Sequence, residues 1–377
     1  MGKRWDVRWR DDAGHQRHKA FDRKADAERF LAQVTADLAR GTYIDPRAGR
    51  VSFRTYTEQW RAAQVHRAAT AAQVETHLRR HVYPTFGDRS LASVRPSEVQ
   101  AWVRGLEQHL APSTIEVVYS FVAGVFRAAV RDRLIVTTPC VDVRLPKLQP
   151  KRVEPLVTER VEGLIAAMPE RYRALVVLAA GTGLRQGEAF GVEVESVDWL
   201  RRTLDVRQQL VLMPGGAPYV APLKTAASYR TVPLPRVVVD ALTAHLAAFP
   251  ADPVELLDTT STPTARRRPA AFIFTTSAGL PIRRTRFSDV WRTAAKAAGL
   301  PGGASFHDLR HYYASLLIQH GESVKVVQKR LGHKSAVETL DTYSHLWPDS
   351  DDSTRAAIDS AMAAREDNLS TADGGDT

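Results

Sequence analysis

The hydrophobic pattern of this 377-residue chain changes period twice, so successive stretches must build different kinds of core. Residues 3–21 alternate. Trp5, Val7 and Trp9 interleave with Arg4, Asp6, Arg8 and Arg10, which predicts two strands around the turn Asp11-Asp12-Ala13-Gly14. A helix with Ala27, Phe30, Leu31, Val34 and Leu38 on one stripe follows and stops at Gly41. That stripe is expected to cover Trp5, Val7 and Trp9 and to leave Arg4, Arg8 and Arg10 facing outward. A small sheet with a basic outer face suits a DNA major groove, and an ordinary solvated strand face reads the same way.

Pro46 and Gly49 punctuate the passage to a helical period. Helices are predicted over Phe53–Arg67, Ala69–Val82, Pro96–Gln108 and Ser113–Arg131, with Pro96 in a first turn and Ser113 as a cap. The run Val143–Pro150 has two prolines and no period, and reads as a linker. From Val153 the pattern is mixed. Helices are expected at Thr158–Met168, Tyr172–Ala180, Pro235–Ala248, Arg286–Ala298, His307–His320 and Ser323–Leu331, with strands at Leu204–Leu212, Tyr219–Pro222 and Thr231–Pro233. A weak helix near Asp352–Arg365 carries Ala357, Ile358, Ala361 and Met362 in a polar tail. The fold class is multidomain α+β: a small β-sheet-plus-helix amino-terminal domain (1–48), an all-α domain (51–146), a mixed, mainly-α domain with a small antiparallel sheet (155–348), and an acidic tail (349–377).

Charge indicates the kind of partner. Lys+Arg exceed Asp+Glu by 4 in residues 1–50, by 5 in 51–150 and by 7 in 151–348, while residues 349–377 carry a net −6. Three basic segments in succession suit a polyanion contacted along most of the chain, and nucleic acid fits best. No basic amphipathic helix or lipidation signal points to a membrane, and no apolar run is read as long enough to span one. The start, Met1-Gly2-Lys3-Arg4-Trp5, lacks a signal-peptide core. The single Cys140 cannot form an internal disulfide or a cysteine zinc site, which fits a reducing cytoplasm.

Four segments bring cations or proton-transfer groups together with glycine or a helix: Gly181–Glu188, Leu223-Lys224-Thr225, His307-Asp308-Leu309-Arg310-His311, and Leu331-Gly332-His333 with Tyr343 ten residues on. Singly, each has a plain structural explanation. The glycines can cap helices, Arg185 and Glu188 can form a surface pair, Lys224 can be a solvated hairpin lysine, and Tyr343 can be a packed aromatic. His307 and His311 stand one helical turn apart, as metal ligands do. The zinc-protease glutamate is absent between them, however, and Arg310 on the same helix repels a cation, so no metal site is read here.

Together and in this order, the arginine box at Arg185, the strand-turn Lys224, the His307-x-x-Arg310-His311 box, Leu331-Gly332-His333 and Thr339–His345 resemble the tyrosine recombinases of the phage integrase type. A type IB topoisomerase uses similar chemistry, and a DNA-binding regulator would share the basic domains without needing these boxes. The resemblance implies that residues 1–48 are an arm-type DNA-binding domain, 51–146 a SAM-like core-binding domain and 155–348 the catalytic domain. It implies that Tyr343 is the nucleophile, and that Arg185 and Arg310 hold the two non-bridging phosphate oxygens. It further implies that His333 donates to the phosphate, His307 assists the tyrosine, Lys224 protonates the 5′-oxygen and Glu188 orients Arg185. Two guanidiniums stand in for a metal, so no cofactor and no ATP are expected. The phenol, ordinarily near pKa ~10, is expected to be activated by its cationic setting. The implied partners are arm-type and core-type duplex DNA, a homotetramer on that DNA, a tail docked on the neighbouring subunit, a host DNA-bending protein and an excision directionality factor.

Overall fold

The computed structural model describes residues 4–11, 14–45, 47–148, 152–212, 216–260, 265–347, 355–356 and 358–362. The chain forms two compact units, Met1–Pro150 and Lys151–Thr377.

In the first unit, β1 (Trp5–Arg10) and β2 (Gln16–Phe21) pair antiparallel, with Val7 opposite Lys19 and Arg8 opposite His18. Helix α1 (Lys24–Ala39) lies on one face of this hairpin. Val7, Ala27 and Val34 are buried and Trp9 packs edge-on to Phe30 at 5.2 Å. The expected stripe is narrower than its spacing suggested, because Trp5 and Leu31 remain exposed. The Lys24 ammonium lies over the Trp5 ring in place of an apolar partner. Asp12 and Ala13 of the turn, and Pro46, lie outside the described residues.

The helical part holds α2 (Phe53–Ala62), α3 (Ala68–His77), α4 (Tyr83–Phe86), α5 (Pro96–Leu106) and α6 (Pro112–Arg131). Several boundaries differ from expectation. Helix α2 stops at Ala62, and Gln64 Nε2 donates to the Trp60 carbonyl at its end. Between α3 and α4 the wide turn Leu78–Val82 carries the chain past Val82 to Phe86, and Pro84, which cannot donate back into the ladder, sits in the first turn of α4. Pro112, and not Ser113, opens α6. Val143 and Leu145 pack on the helical core while the Gln100 side chain holds both backbone groups of Arg144, so the stretch read as a linker is docked as far as Leu145.

Helix α6 has the length and composition to cross a membrane, contrary to the sequence reading. Ile115, Val118, Val122, Val125 and Phe126 nevertheless have no accessible surface and form the centre of the helical core.

The second unit is built on α8 (Glu170–Thr182), whose Leu175, Val176, Leu178 and Ala179 are all sealed. Around it lie α7 (Thr158–Ala167), α9 (Gln186–Phe190), α10 (Arg236–Ala248), α11 (Arg284–Ala297), α12 (Asp308–Gln319), α13 (Val324–Leu331) and α14 (Ala336–Tyr343). Two sheets replace the single antiparallel one expected. One orders β3 (Val197–Asp198), β4 (Thr203–Val206) and β7 (Arg230–Pro233); the other orders β5 (Gln208–Leu212), β6 (Pro218–Pro222), β8 (Val254–Asp258) and β9 (Arg266–Ala270). The strand predicted over Leu204–Leu212 divides between them, and β6 runs parallel to β8. Of the tail, residues 355–356 and 358–362 are helical with Ile358 and Met362 exposed. Both ends of the predicted Asp352–Arg365 helix, and Ala357, fall outside the described residues.

Candidate active site

Two left-handed glycine turns at helix ends set the frame. Gly183 (φ 64°) closes α8 and Gly332 (φ 66°) closes α13. Side chains are excluded at both positions. A Cβ on Gly183 would lie 2.5 Å from Tyr313 Cδ1, and one on Gly332 would lie 3.0 Å from the Ala227 carbonyl oxygen.

Arg310 joins the two turns. Its guanidinium is 1% exposed and donates to the Gly183 carbonyl at 2.8 Å and the Leu331 carbonyl at 2.7 Å. Arg185, immediately before α9, donates to the Gly332 carbonyl at 3.4 Å and to Glu188 Oε1 at 3.0 Å. The two guanidiniums therefore close on consecutive carbonyls of the turn that leads into His333. Burial, and then the charge of Arg185, pull Arg310 down to about 9. An anion entering here would relieve that repulsion.

Glu188 is the counter-charge. Burial would raise its carboxyl, but Arg230 and Arg185 outweigh burial and hold it below the ordinary carboxylate range. Arg230 was not anticipated from the sequence. It donates to Glu188 Oε2 at 2.8 Å and to the carbonyls of Arg330 and Ser228. Arg230 and Arg185 thus share one carboxylate, and Arg310 adds a third positive charge nearby, leaving a net excess of positive charge.

His333 is buried, with Nδ1 2.9 Å from Thr339 Oγ1 and Nε2 3.8 Å from Glu338 Oε1. Burial, then Arg310 and Arg185, depress it to about 3, which keeps the ring neutral. Its ring lies parallel to that of Tyr343 at 6.4 Å. Tyr343 ends α14, is 1% exposed, and packs in a small cluster with Tyr313, Ile318, Val327 and Leu331. Burial outweighs the lowering effect of Arg310 and Arg185 and lifts the phenol to about 12.

The histidine on Tyr343 is not the one expected. His311 Nδ1 lies 2.8 Å from Tyr343 Oη, whereas His307, at the N-cap of α12, sits edge-on to His311 with ring centroids 4.8 Å apart. Desolvation, then His311 and Arg310, lower His307 to about 4. Lys224 stands exposed between β6 and the short turn Ala226–Ser228. Tyr312 and Tyr313 are buried packing residues, and His345 accompanies the Val153 carbonyl at 2.9 Å. In the first unit, Arg4, Arg8 and Arg10 are exposed, with Arg8 on Asp6 at 3.1 Å and Arg4 3.7 Å from Asp22. Among the described residues no group of His, Cys, Asp and Glu is arranged to hold a metal ion.

Clustered guanidiniums, low-pKa imidazoles and a sequestered tyrosine make up a site suited to holding a phosphodiester. Residues 149–349 match the model of the phage integrase family, and residues 53–145 match that of the phage integrase central domain. The chain belongs to the phage integrase family and is a site-specific tyrosine recombinase acting on DNA. It is 28% identical to the integrase of Mycobacterium phage D29 over 324 residues, which cover 83% of this chain and 82% of that one. Its fold resembles that of the Tn1549 transposon integrase in complex with a circular intermediate DNA (TM-score 0.67, 22% identity, 82% of this chain and 98% of that one). It also resembles a lambda integrase in a tetramer bound to a Holliday junction (TM-score 0.57, 19% identity, 88% and 94%).

Proposed function

We propose that the protein joins the DNA of a phage or another mobile element to host DNA by cutting and resealing strands through a 3′-phosphotyrosine on Tyr343. The observation that carries this reading is the closure of Arg310 and Arg185 on the consecutive carbonyls of Leu331 and Gly332, beside Tyr343. Two fixed forks at that spacing suit the two non-bridging oxygens of one phosphodiester, whose charge grows as the nucleophile arrives. His333, steadied by Thr339, donates a further hydrogen bond, and Glu188 holds Arg185 in place. Lys224, on its exposed turn, protonates the departing 5′-oxygen. The bond energy is kept in the phosphotyrosine, so resealing needs neither ATP nor a metal.

Residues 1–48 grip arm-type sites through Arg4, Arg8 and Arg10, residues 51–146 grip the core site, and residues 155–348 catalyse. Four copies act on two duplexes in the cytoplasm of a bacterial host, aided by a DNA-bending protein and an excision factor. The lambda integrase tetramer on a Holliday junction supports the stoichiometry. The test is adduct formation on nicked duplex DNA in EDTA without ATP. The wild-type protein is expected to form a covalent adduct, and Tyr343→Phe to bind the duplex equally well and form none. An adduct on Tyr343→Phe, or a wild-type reaction that magnesium alone restores, defeats the proposal.

A further inference from the structure

We infer that His311 is the base that takes the phenolic proton of Tyr343 as its oxygen attacks phosphorus, with His307 supporting His311 and not the tyrosine. The inference rests on Tyr343 being the nucleophile. Arg310 and His311 are neighbours on α12, about 100° apart around the helix. One therefore turns to the Gly183 and Leu331 carbonyls while the other meets the end of α14.

The 2.8 Å separation of His311 Nδ1 and Tyr343 Oη is within direct proton-transfer range, and it is the one hydrogen bond of that hydroxyl among the described residues. With the ring proton on Nε2, Nδ1 is left to accept from the phenol. The rivals are engaged elsewhere. His333 meets the ring of Tyr343 in a parallel stack and directs Nδ1 to Thr339. His307 makes no hydrogen bond to Tyr343 among the described residues and meets the edge of His311 instead.

The charges around His311 suit the task. Burial, aided by Arg310, keeps it neutral and able to accept, while Asp308, one turn earlier on the same helix, favours the imidazolium once formed. A phosphate between Arg310 and Arg185 would offset the opposing charge of Arg310. In the reaction the Oη–P bond forms as the P–O5′ bond breaks, the proton passes from Oη to His311 Nδ1, and the 5′-oxygen takes its own proton from a separate acid. On resealing, the 5′-hydroxyl attacks the phosphotyrosine and gives its proton back to that separate group, the Oη–P bond breaks, and His311 returns its proton to Oη.

The experiment uses the full chain and a nicked duplex selected by the wild-type protein from a randomised pool. Adduct formation is timed from about pH 6 to about pH 9, a range spanning the ordinary imidazole pKa. His311→Gln is expected to bind the duplex normally and to form adduct on the order of 100-fold more slowly near neutrality. Its rate should climb about tenfold per pH unit where the wild-type rate levels off, because solvent must then take the proton. His311→Ala should be partly rescued by added imidazole, and this second variant keeps the test alive if His311→Gln folds poorly. His307→Gln is expected to be slowed while keeping the wild-type pH profile. Wild-type rates for His311→Gln overturn the inference, as does slowing with an unchanged pH profile and no imidazole rescue. Failure of the wild-type protein to select any duplex, or an adduct on Tyr343→Phe, would instead overturn the proposed reaction itself.

Discussion

Arg230 and Glu188 form an ion pair at 2.8 Å in which the side chains are only 4% and 3% exposed. Arg230 opens β7, the strand that follows the Lys224 turn, and it also donates to the Arg330 carbonyl in α13. One guanidinium thus links the support of Arg185, the segment following Lys224 and the helix that ends at Gly332. A pair this dry gains little over apolar packing while intact, yet becomes costly when one member is lost, because the other remains buried with its charge.

Arg230→Ala is therefore expected to destabilise the protein by roughly 3–5 kcal/mol. Urea denaturation followed by circular dichroism measures this directly. Arg230→Met with Glu188→Met should recover most of the loss in stability, although not activity. A stability unchanged in Arg230→Ala would mean that Glu188 is adequately paired by Arg185 alone.

Acid sensitivity follows from the histidines. The folded-state pKa of His333 is depressed to about 3, against an ordinary value near ~6.5. Below about pH 6.5 the unfolded chain binds a proton that the folded chain refuses. The stability held by the neutral ring is thus complete above that pH and lost as pH falls toward about 3. His333→Asn should make the fall of stability with acidity shallower, by up to about 1.4 kcal/mol per pH unit. Denaturation midpoints across this window, compared between the two proteins, decide it, and parallel curves would show that His333 titrates normally.

The amino-terminal hairpin offers a cut site finer than the sequence suggested. Trp9 donates to the Tyr43 hydroxyl at 2.9 Å and Arg17 meets Asp45 at 2.7 Å, so residues 43–45 belong with the hairpin. Gly49 belongs with the helices: a Cβ there would lie 2.7 Å from Ala92 Cβ and 2.9 Å from the Leu134 carbonyl oxygen. Deleting residues 1–46 should consequently remove footprints at distal arm sites and leave cleavage of an isolated core site intact. Arm footprints that survive the deletion would reassign the exposed Arg4, Arg8 and Arg10 face as an ordinary solvated surface.

The boxes of the candidate site are legible in the sequence because each is a short local pattern of glycine, cation and helix. Their contacts are not, because they are long-range. His311 meets Tyr343 across 32 residues and Arg310 meets Gly183 across 127. Nothing local distinguishes Arg230, at the head of a strand, from a solvated arginine. The same difficulty hid β9, whose Arg266-Arg267-Arg268 reads as exposed, although Arg268 is held by Glu193 at 2.7 Å and by Asp258. Helix α14 was missed for a related reason. Outward-facing Val337 and Leu340 blur its apolar stripe, and only Thr339 and Tyr343 are buried.

Lys224 admits the sharpest test, because its proposed role depends on the leaving group. If it protonates the 5′-oxygen, its loss should matter only while that oxygen leaves poorly. Replacing the bridging 5′-oxygen with sulfur provides a thiolate, and a thiol pKa of roughly 8.5 lets it depart without a proton. Lys224→Ala is expected to cleave ordinary DNA slowly, by about 10²-fold or more, and the sulfur-bridged duplex at close to the wild-type rate. Arg185→Ala and Arg310→Ala should be rescued by neither substrate, since the charge they offset on the non-bridging oxygens is the same in both. Single-turnover adduct formation on the two duplexes provides the comparison. Equal impairment of Lys224→Ala on both would make this lysine a phosphate contact, and the acid would then have to be sought among His307, His333 and His345.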